Sequence, residues 1–383
     1  MSAVSVFDNL IDQEHVISVL QDAVSAASDS TNLTQEMTHA WLFTGPPGSG
    51  RSNAALAFAA ALVCKVGGCN ECTDCKTAII GSHADVELIK TEGLSIKIDE
   101  VRELITRASW SPAVGNFRVV VIEDADRLTE SAANALLKAI EEPGLRTVWL
   151  LCAPSSTDVL PTIRSRTRSL VLRTPSIAAV AELLEKEKFS PAMADFAARA
   201  SQGHIGRARH LAKSEEARTR RQAILKISLI ITDIASAFKA AQVLVEAAKA
   251  EAEEEAERRD DAEISALKEA WGQQGSKLTQ GGSKAVKELE KEQKSRTTRM
   301  VRDYLDRALL DIATLYRDIL LIQSNSLDSI INIDLMSEIT KIAETTTPEV
   351  TLAKLEAIMS ARTNLSHNAA PLLTIEALMV LLK

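Results

Sequence analysis

Three short apolar runs in the first half of the chain predict strands that are buried on both faces. The runs are AWLFTG at 40–45, RVVVIED at 118–124 and VWLLCA at 148–153. Nearly continuous apolar runs of this length are typical of central strands in a parallel sheet. Helical spacing of apolar residues fills intervals at 98–109 and 128–142. This alternation predicts an α/β domain in which helices cover a parallel sheet.

Strand patterns end near Pro175, and the rest of the chain shows only helical periodicity. We predict an α/β domain at 1–174, a small helical domain at 175–213 and a larger all-α domain at 214–383. Within the last domain, residues 216–245 have the pattern of one long helix. The chain is long enough for each of these domains to bury a core of its own.

A strongly charged segment at 246–299 interrupts the last domain. It contains EAEEEAERRDDAE, then WGQQGSKLTQGGSK, then KELEKEQKSR. Charge runs of this kind are typical of solvated helix faces, and Gly/Gln/Ser stretches are typical of turns. We therefore predict an insertion of two charged helices joined by a turn. A binding role for this insertion is the alternative.

The overall composition adds a constraint on partners and location. The chain has 44 Lys and Arg against 52 Asp and Glu, a net charge of -8, which argues against a protein that binds nucleic acid through its overall field. Apolar runs stay short of the roughly 18 residues of a membrane helix, and the start MSAVSVFDNL lacks the features of a signal peptide. We expect a cytoplasmic protein with no membrane association.

A phosphate-binding loop is the strongest chemical signal. The run GPPGSGRS at 45–52 lies between the first predicted strand and a helix at 53–63. Backbone N–H groups of such a loop surround a phosphate, and a Lys before the Ser reaches the β and γ phosphates. Arg51 stands in place of that Lys, and a bulky planar guanidinium is a poor substitute for a compact ammonium. The candidate nucleotide-binding residues here are Gly45, Gly48, Gly50, Arg51 and Ser52.

An acidic pair, Glu123 and Asp124, follows the second predicted strand. In P-loop ATPases an Asp at the end of this strand coordinates Mg²⁺, often with a Glu next to it. The two acids stand here in inverted order. We predict a degenerate site in which ATP and Mg²⁺ binding are doubtful. The alternative role for Asp124, and for the nearby Asp126, is to cap the next helix.

Four of the five cysteines lie within twelve residues, at Cys64, Cys69, Cys72 and Cys75. In a reducing compartment such spacing indicates a metal site before disulfides, and four thiolates suit tetrahedral zinc. We predict structural Zn²⁺, with an iron–sulfur cluster as the alternative. His83 is expected to be a loop or packing residue and not a ligand, because the thiolates already complete the ligand set.

The motif TIRSRT at 162–167 ends the α/β domain. An arginine displayed at this position can reach a phosphate held by a neighbouring subunit and act as a trans arginine finger. Spacing alone favours an ordinary exposed arginine for Arg166, so the finger is the alternative at this stage.

The string ANALLKAIEEP at 133–143 resembles the segment shared by clamp-loader subunits of the AAA+ class. The phosphate loop, the cysteines, the acidic pair and the Ser165-Arg166 motif surround it in the order of that family, and FDNLIDQE at 7–14 resembles the family's start. The match covers most of the first 210 residues and, further on, only RTNLSHN at 362–368. It implies an AAA+ module, a helical lid at 175–213 and an oligomerisation collar at 214–383.

Departures from the family pattern indicate which kind of subunit this is. Motor subunits keep the loop Lys, the Asp-Glu order and a sensor arginine at the position of Gly206, all of which are altered here. The resemblance therefore implies a non-motor stator that does not hydrolyse ATP, while Arg166 serves as the trans finger. It also implies the partners of a clamp loader: motor subunits, a delta subunit, a sliding clamp and primed DNA. The open alternatives are an ATP-hydrolysing motor of the gamma/tau type and a zinc-stabilised adaptor without a finger.

Overall fold

The structure is a computed structural model that describes residues 5–29, 37–91, 93–270, 273–274, 277–278, 280–326 and 330–383. The chain divides into two compact units, Met1–Arg209 and His210–Lys383. No helix in the described ranges combines the length and the apolar character needed to cross a bilayer.

A five-stranded parallel sheet forms the centre of the first unit. Its strands are β1 Ala40–Thr44, β2 Val86–Ile89, β3 Arg118–Ile122, β4 Thr147–Ala153 and β5 Arg168–Val171, in the order β2-β3-β4-β1-β5. The predicted parallel α/β fold is thus confirmed. The three apolar runs form the central strands β1, β3 and β4, which are buried throughout. The edge strands β2 and β5 lack such a run because much of their surface is exposed.

Strand register brings the two predicted nucleotide elements to one edge of the sheet. Leu151 of β4 lies opposite both Leu42 of β1 and Ile122 of β3. Since all three strands are parallel, the loop after β1 and the acids after β3 leave the same end of the sheet. This end is where ligands bind in open α/β sheets.

Helices cover both faces of the sheet. Apolar side chains of the first two helices fill one core layer, and those of the fourth and fifth fill the other. The nine helices that begin in this unit, as described, are α1 Glu14–Asp29, α2 Arg51–Val63, α3 Thr73–Ile79, α4 Ile98–Ala108, α5 Glu130–Glu141, α6 Pro161–Arg164, α7 Ile177–Lys186, α8 Pro191–Ala200 and α9 Ile205–Lys213.

The second unit is helical, apart from a minimal hairpin. The prediction of one helix over 216–245 is wrong, because α10 ends at Leu229 and α11 begins at Ile234. The break has a capping signal: the Asp233 carboxylate accepts a 2.7 Å hydrogen bond from the backbone N–H of Ser236. The helices are α10 Glu215–Leu229, α11 Ile234–Ala270, α12 Gln280–Gln323, α13 Met336–Thr345, α14 Pro348–Ser366 and α15 Pro371–Leu382.

The charged segment at 246–299 forms the distal parts of α11 and α12, which pack along each other. Two-residue strands, β6 Gln273–Gln274 and β7 Lys277–Leu278, pair near the tip. The predicted turn, WGQQGSKLTQGGSK, is shorter than expected, because its last five residues, 280–284, already belong to α12. Its residues 271–272, 275–276 and 279 lie outside the described residues.

The facing surfaces of this helix pair are not purely solvated. Arg296 is buried and binds both carboxylate oxygens of Glu263, at 3.0 and 2.9 Å. These hydrogen bonds hold the pKa of Glu263 down at about 2. Small alanines at 248, 252 and 256 are buried as well. The segment therefore forms two helices, as expected from the charge runs, but the facing sides of these helices are packed together and are not solvated.

A buried polar network ties the second unit together. The guanidinium of Arg221 donates to Asp311 at 2.8 Å and to Asn332 at 2.6 Å, and both charged side chains are at most 5% exposed. Asn332 in turn donates to Asp318 at 2.8 Å. Removing one partner of a buried ion pair leaves an uncompensated charge, which is much costlier than losing an exposed pair.

We predict that Arg221→Ala destabilises the protein by about 3–5 kcal/mol in urea unfolding, because the Asp311 carboxylate loses its buried guanidinium. Arg220→Ala is the matched control. Arg220 pairs with Glu216 and Glu251 in a more exposed position, so its loss should cost about 1 kcal/mol or less. Equal losses for the two variants would contradict the role of the network.

Candidate functional site

The loop at 45–50 connects β1 directly to α2, as the sequence predicts for a phosphate cradle. Gly48 and Gly50 have φ angles of 89° and 85°, a left-handed conformation that favours glycine. Gly50 is also the first residue before α2, and its carbonyl accepts from the N–H of Ala54 at 2.8 Å. Ser52 follows in the first turn of α2. The strand, loop and helix arrangement of the motif is thus present.

Arg51 does not extend freely from this loop. Its Nη1 donates a 2.9 Å hydrogen bond to the carbonyl of Gly45, the residue that opens the loop. Its Nε is buried and has no hydrogen-bond partner among the described residues. The guanidinium is therefore engaged with the cradle's own backbone, whereas a P-loop Lys directs its ammonium to phosphate.

The two acids after β3 also have partners. The carboxylate of Glu123 lies 3.6 Å from the Nζ of Lys90, and that of Asp124 lies 4.0 Å from the Nε of Arg127. These two basic partners, Lys90 and Arg127, were not predicted from the sequence, since neither belongs to a motif. Asp124 makes no side-chain capping bond, and the capping residue of α5 is Thr129, so the capping alternative fails for Asp124.

Asp126 lies deeper than the acidic pair. Burial raises its pKa, and the nearby charge of Asp124 raises it further. Its Oδ1 is buried without a hydrogen-bond partner among the described residues. Burial and the charge of Asp124 thus both disfavour the charged form of this carboxyl group, while the nearby Arg127 and Arg51 favour it.

The structure brings the predicted nucleotide residues together around Cys152 of β4. The thiol is fully buried, which raises its pKa, and the charges of Arg51, Glu123 and Asp124 all act on it. The Sγ atom also lies 3.8 Å from the carbonyl oxygen of Arg51. The loop and the acids therefore lie close to one another at this edge of the sheet, and both the arginine and the acids already have partners within the chain.

His204, the residue just before α9, lies close to Gly48 of the loop. A Cβ atom added to Gly48 would lie 2.6 Å from Cγ of His204, so only glycine fits there. The imidazole Nδ1 accepts a 3.3 Å hydrogen bond from the N–H of Arg207 and so caps α9. Sequence reasoning missed this contact, because no spacing signal links residues so far apart.

Arg166 lies just beyond α6, with its side chain 41% exposed. Its guanidinium donates to the carbonyl of Thr162 at 3.0 Å, to the hydroxyl of Ser165 at 3.1 Å and to the carboxylate of Glu141. None of its hydrogen bonds to described residues goes to the loop at 45–52. Arg166 is therefore separate from the nucleotide residues of its own chain and accessible from outside.

The cysteines form a compact cluster after α2. The four sulfur atoms lie within 4.8 Å of one another, and Cys64 is 3.8 Å from both Cys69 and Cys72. A tetrahedron with zinc–sulfur bonds of about 2.3 Å has edges of about 3.8 Å, so the thiols match a four-thiolate site. Cys75 completes the set and is buried.

Backbone turns shape this cluster, as the sequence predicts. Gly67, Gly68 and Asn70 all have positive φ angles, between 57° and 106°. Burial raises the pKa of the Cys64 thiol, but hydrogen bonds from backbone N–H groups outweigh burial and lower the pKa to about 6. A thiolate is thus favoured at Cys64 near neutral pH, which suits a metal ligand.

His83 is a buried packing residue rather than a fifth ligand. Its Nδ1 accepts from the N–H of Asp85 at 3.0 Å, and its Nε2 lies 3.6 Å from the carboxylate of Asp74. Both ring nitrogens therefore face groups outside the thiol cluster.

Comparison with known proteins finds similarity within the first unit. Residues 20–176 match the family described as DNA polymerase III, delta subunit. The delta' subunit of DNA polymerase III from Bacillus subtilis is 32% identical over 194 residues, 50% of this chain and 59% of that protein. The delta' subunit from Pseudomonas aeruginosa is 36% identical over 154 residues, 39% of this chain and 47% of that protein.

Motor-type subunits match over a similar length. The tau subunit from Bacillus subtilis is 33% identical over 165 residues, 42% of this chain and 28% of that protein. The chain therefore spans less than two thirds of each of these relatives. Among solved structures, a gamma subunit-related protein from Thermotoga maritima covers 76% of this chain and 99% of its own, at 18% identity and a TM-score of 0.37.

We predict that Arg51→Lys tightens binding of Mg-ATP to the isolated chain, because it replaces the bulky guanidinium that donates to Gly45 by the compact ammonium that suits a phosphate loop. The expected gain is on the order of tenfold, about 1.4 kcal/mol, measured by titration calorimetry. The same change at the exposed Arg102 is the control and should leave binding unaltered. An unchanged affinity for Arg51→Lys would show that Arg51 does not limit binding.

Proposed function

We propose that this chain, whose residues 20–176 match the family described as DNA polymerase III, delta subunit, is the delta-prime stator of a clamp loader. In this role it braces the assembly without hydrolysing ATP itself. One observation carries the proposal: Arg51 and the acidic pair are engaged within the chain, while Arg166 is exposed beyond α6.

Arg166 would act on a nucleotide held by a neighbouring motor subunit. A guanidinium placed against the γ-phosphate stabilises the charge that develops during phosphoryl transfer. The next residue, Thr167, hydrogen-bonds locally to the carbonyl of Arg164 at 3.2 Å and would not restrict this reach. The chain would thereby complete a catalytic site that it does not itself contain.

The proposed partners follow from the relatives, which are named as DNA polymerase III subunits. The proposed direct partners are motor subunits and a delta subunit, which would assemble with this chain as a hetero-oligomer through the helical collar. The sliding clamp and primed DNA would be contacted through the complex. DNA contact would be shared among subunits and mostly to phosphates, because a net charge of -8 provides no binding field of its own. The proposed location is the cytoplasm, where bacterial replication takes place.

Structural zinc is part of the same proposal. The fit of the four sulfurs to a tetrahedron of zinc–sulfur bonds supports this metal. The cluster joins α2 and α3 and lies beside the N-terminal segment, where the N–H of Val6 donates to the carbonyl of Gly68 at 3.0 Å. Bound zinc would therefore fix this corner of the first unit.

A motor role is the second candidate, and the similarity to the tau subunit favours it. A motor would bind Mg-ATP tightly and hydrolyse it without other subunits. Loss of that turnover on Arg51→Ala would identify the chain as a motor. The stator proposal instead expects little hydrolysis by the chain alone.

We predict that Arg166→Ala lowers ATP hydrolysis by the complex reconstituted with cognate motor subunits by on the order of tenfold or more, the usual worth of an arginine finger. Steady-state hydrolysis at saturating ATP provides the measurement. The matched control is Arg164→Ala, two residues earlier, whose guanidinium donates, among the described residues, only to the carbonyl of Ser156, at 3.4 Å. An unchanged rate with Arg166→Ala would favour an adaptor without a finger.

The metal proposal predicts about one zinc ion per purified chain by elemental mass spectrometry. Cys69→Ser should abolish stoichiometric zinc, because it removes one of the four ligands. Cys152→Ala should retain zinc, since that thiol lies outside the cluster. Finding iron with sulfide in place of zinc, or no metal at all, would contradict this part of the proposal.

A further inference from the structure

Two of the three guanidinium nitrogens of Arg166 donate hydrogen bonds within the chain. Nε donates to Glu141, and Nη1 donates to both Thr162 and Ser165. No hydrogen bond within the described part of the chain involves Nη2. An arginine has five N–H donors in a planar fork, so the two N–H donors of Nη2 remain for another acceptor.

Glu141 lies at the end of a helix that is anchored in the core. It is the last residue of α5, and the neighbouring Ile140 and Leu136 are fully buried. The carboxylate therefore projects from a helix that the core fixes in place, whereas Arg166 follows a helix of only four residues. The long arginine side chain would otherwise sample several rotamers in solvent.

We propose that Glu141 is a positioning residue for Arg166, an inference that rests on the proposed finger function. The carboxylate fixes the orientation of the guanidinium through Nε and leaves the N–H donors of Nη2 for a neighbour's phosphate. A pre-oriented group loses less conformational freedom when the transition state forms. Glu141 itself does not touch the nucleotide.

The neighbouring Glu142 provides a contrast. It is also exposed, carries the same charge and lies one residue further along the chain. Its side chain makes no hydrogen bond or ion pair with the described residues. A general effect of negative charge near Arg166 would therefore appear at both positions, whereas positioning depends on Glu141 alone.

The test compares Glu141→Ala, Glu141→Gln and Glu142→Ala in the complex reconstituted with cognate motor subunits. We expect Glu141→Ala to lower kcat for ATP hydrolysis roughly three- to tenfold, with KM nearly unchanged, because a misplaced finger acts on the transition state. Glu141→Gln keeps an oxygen acceptor for Nε and should restore part of the rate. Glu142→Ala should match the native chain.

A double-mutant cycle separates positioning from other effects. In an Arg166→Ala background, adding Glu141→Ala should change kcat no further, because the group being positioned is gone. A native rate for Glu141→Ala beside a reduced rate for Arg166→Ala would overturn this inference and leave the finger proposal standing. A native rate for Arg166→Ala would overturn the finger proposal itself. Equal losses from Glu141→Ala in both backgrounds would show that Glu141 acts independently of Arg166.

Discussion

The hydrogen bond from Arg51 to the carbonyl of Gly45 is the interaction on which the account of this molecule depends. It joins Arg51, which occupies the position of the phosphate-binding Lys, to the backbone of the loop that would surround the phosphate. The acidic pair is engaged in the same way, with Glu123 beside Lys90 and Asp124 beside Arg127. This edge of the sheet thus keeps the backbone arrangement of a nucleotide site, while its arginine bonds to the loop backbone and its acids lie beside other basic side chains. Such an internally bonded loop would suit a subunit whose role in an assembly is to stay rigid.

The sheet explains how one fold carries both an engaged pocket and an exposed arginine. Parallel strands deliver the loop after β1 and the acids after β3 to the same edge, where they meet around Cys152. Arg166 instead follows α6, and its hydrogen bonds go to α5 and its own turn. The two sites therefore share a scaffold but not their contacts. Changes in the pocket can accumulate without altering the arginine.

Local features were predictable from the sequence, and distant contacts were not. The phosphate loop and the cysteine cluster depend on spacing within about a dozen residues, and the structure shows both. The edge strands β2 and β5 lack a continuous apolar run, and the break before α11 depends on one capping residue, Asp233. The pairing of His204 with Gly48 joins residues far apart in the chain. Contacts of that kind are set by the fold and leave no periodic signal.

The central claim is that this chain cannot hydrolyse ATP with its own pocket. Steady-state ATP hydrolysis by the purified chain, free of other subunits, tests this claim most directly. The account predicts no turnover above that of a preparation in which the loop serine is replaced, Ser52→Ala. Sustained hydrolysis by the native chain that disappears in Ser52→Ala would contradict the account, because the pocket would then be a working catalytic site.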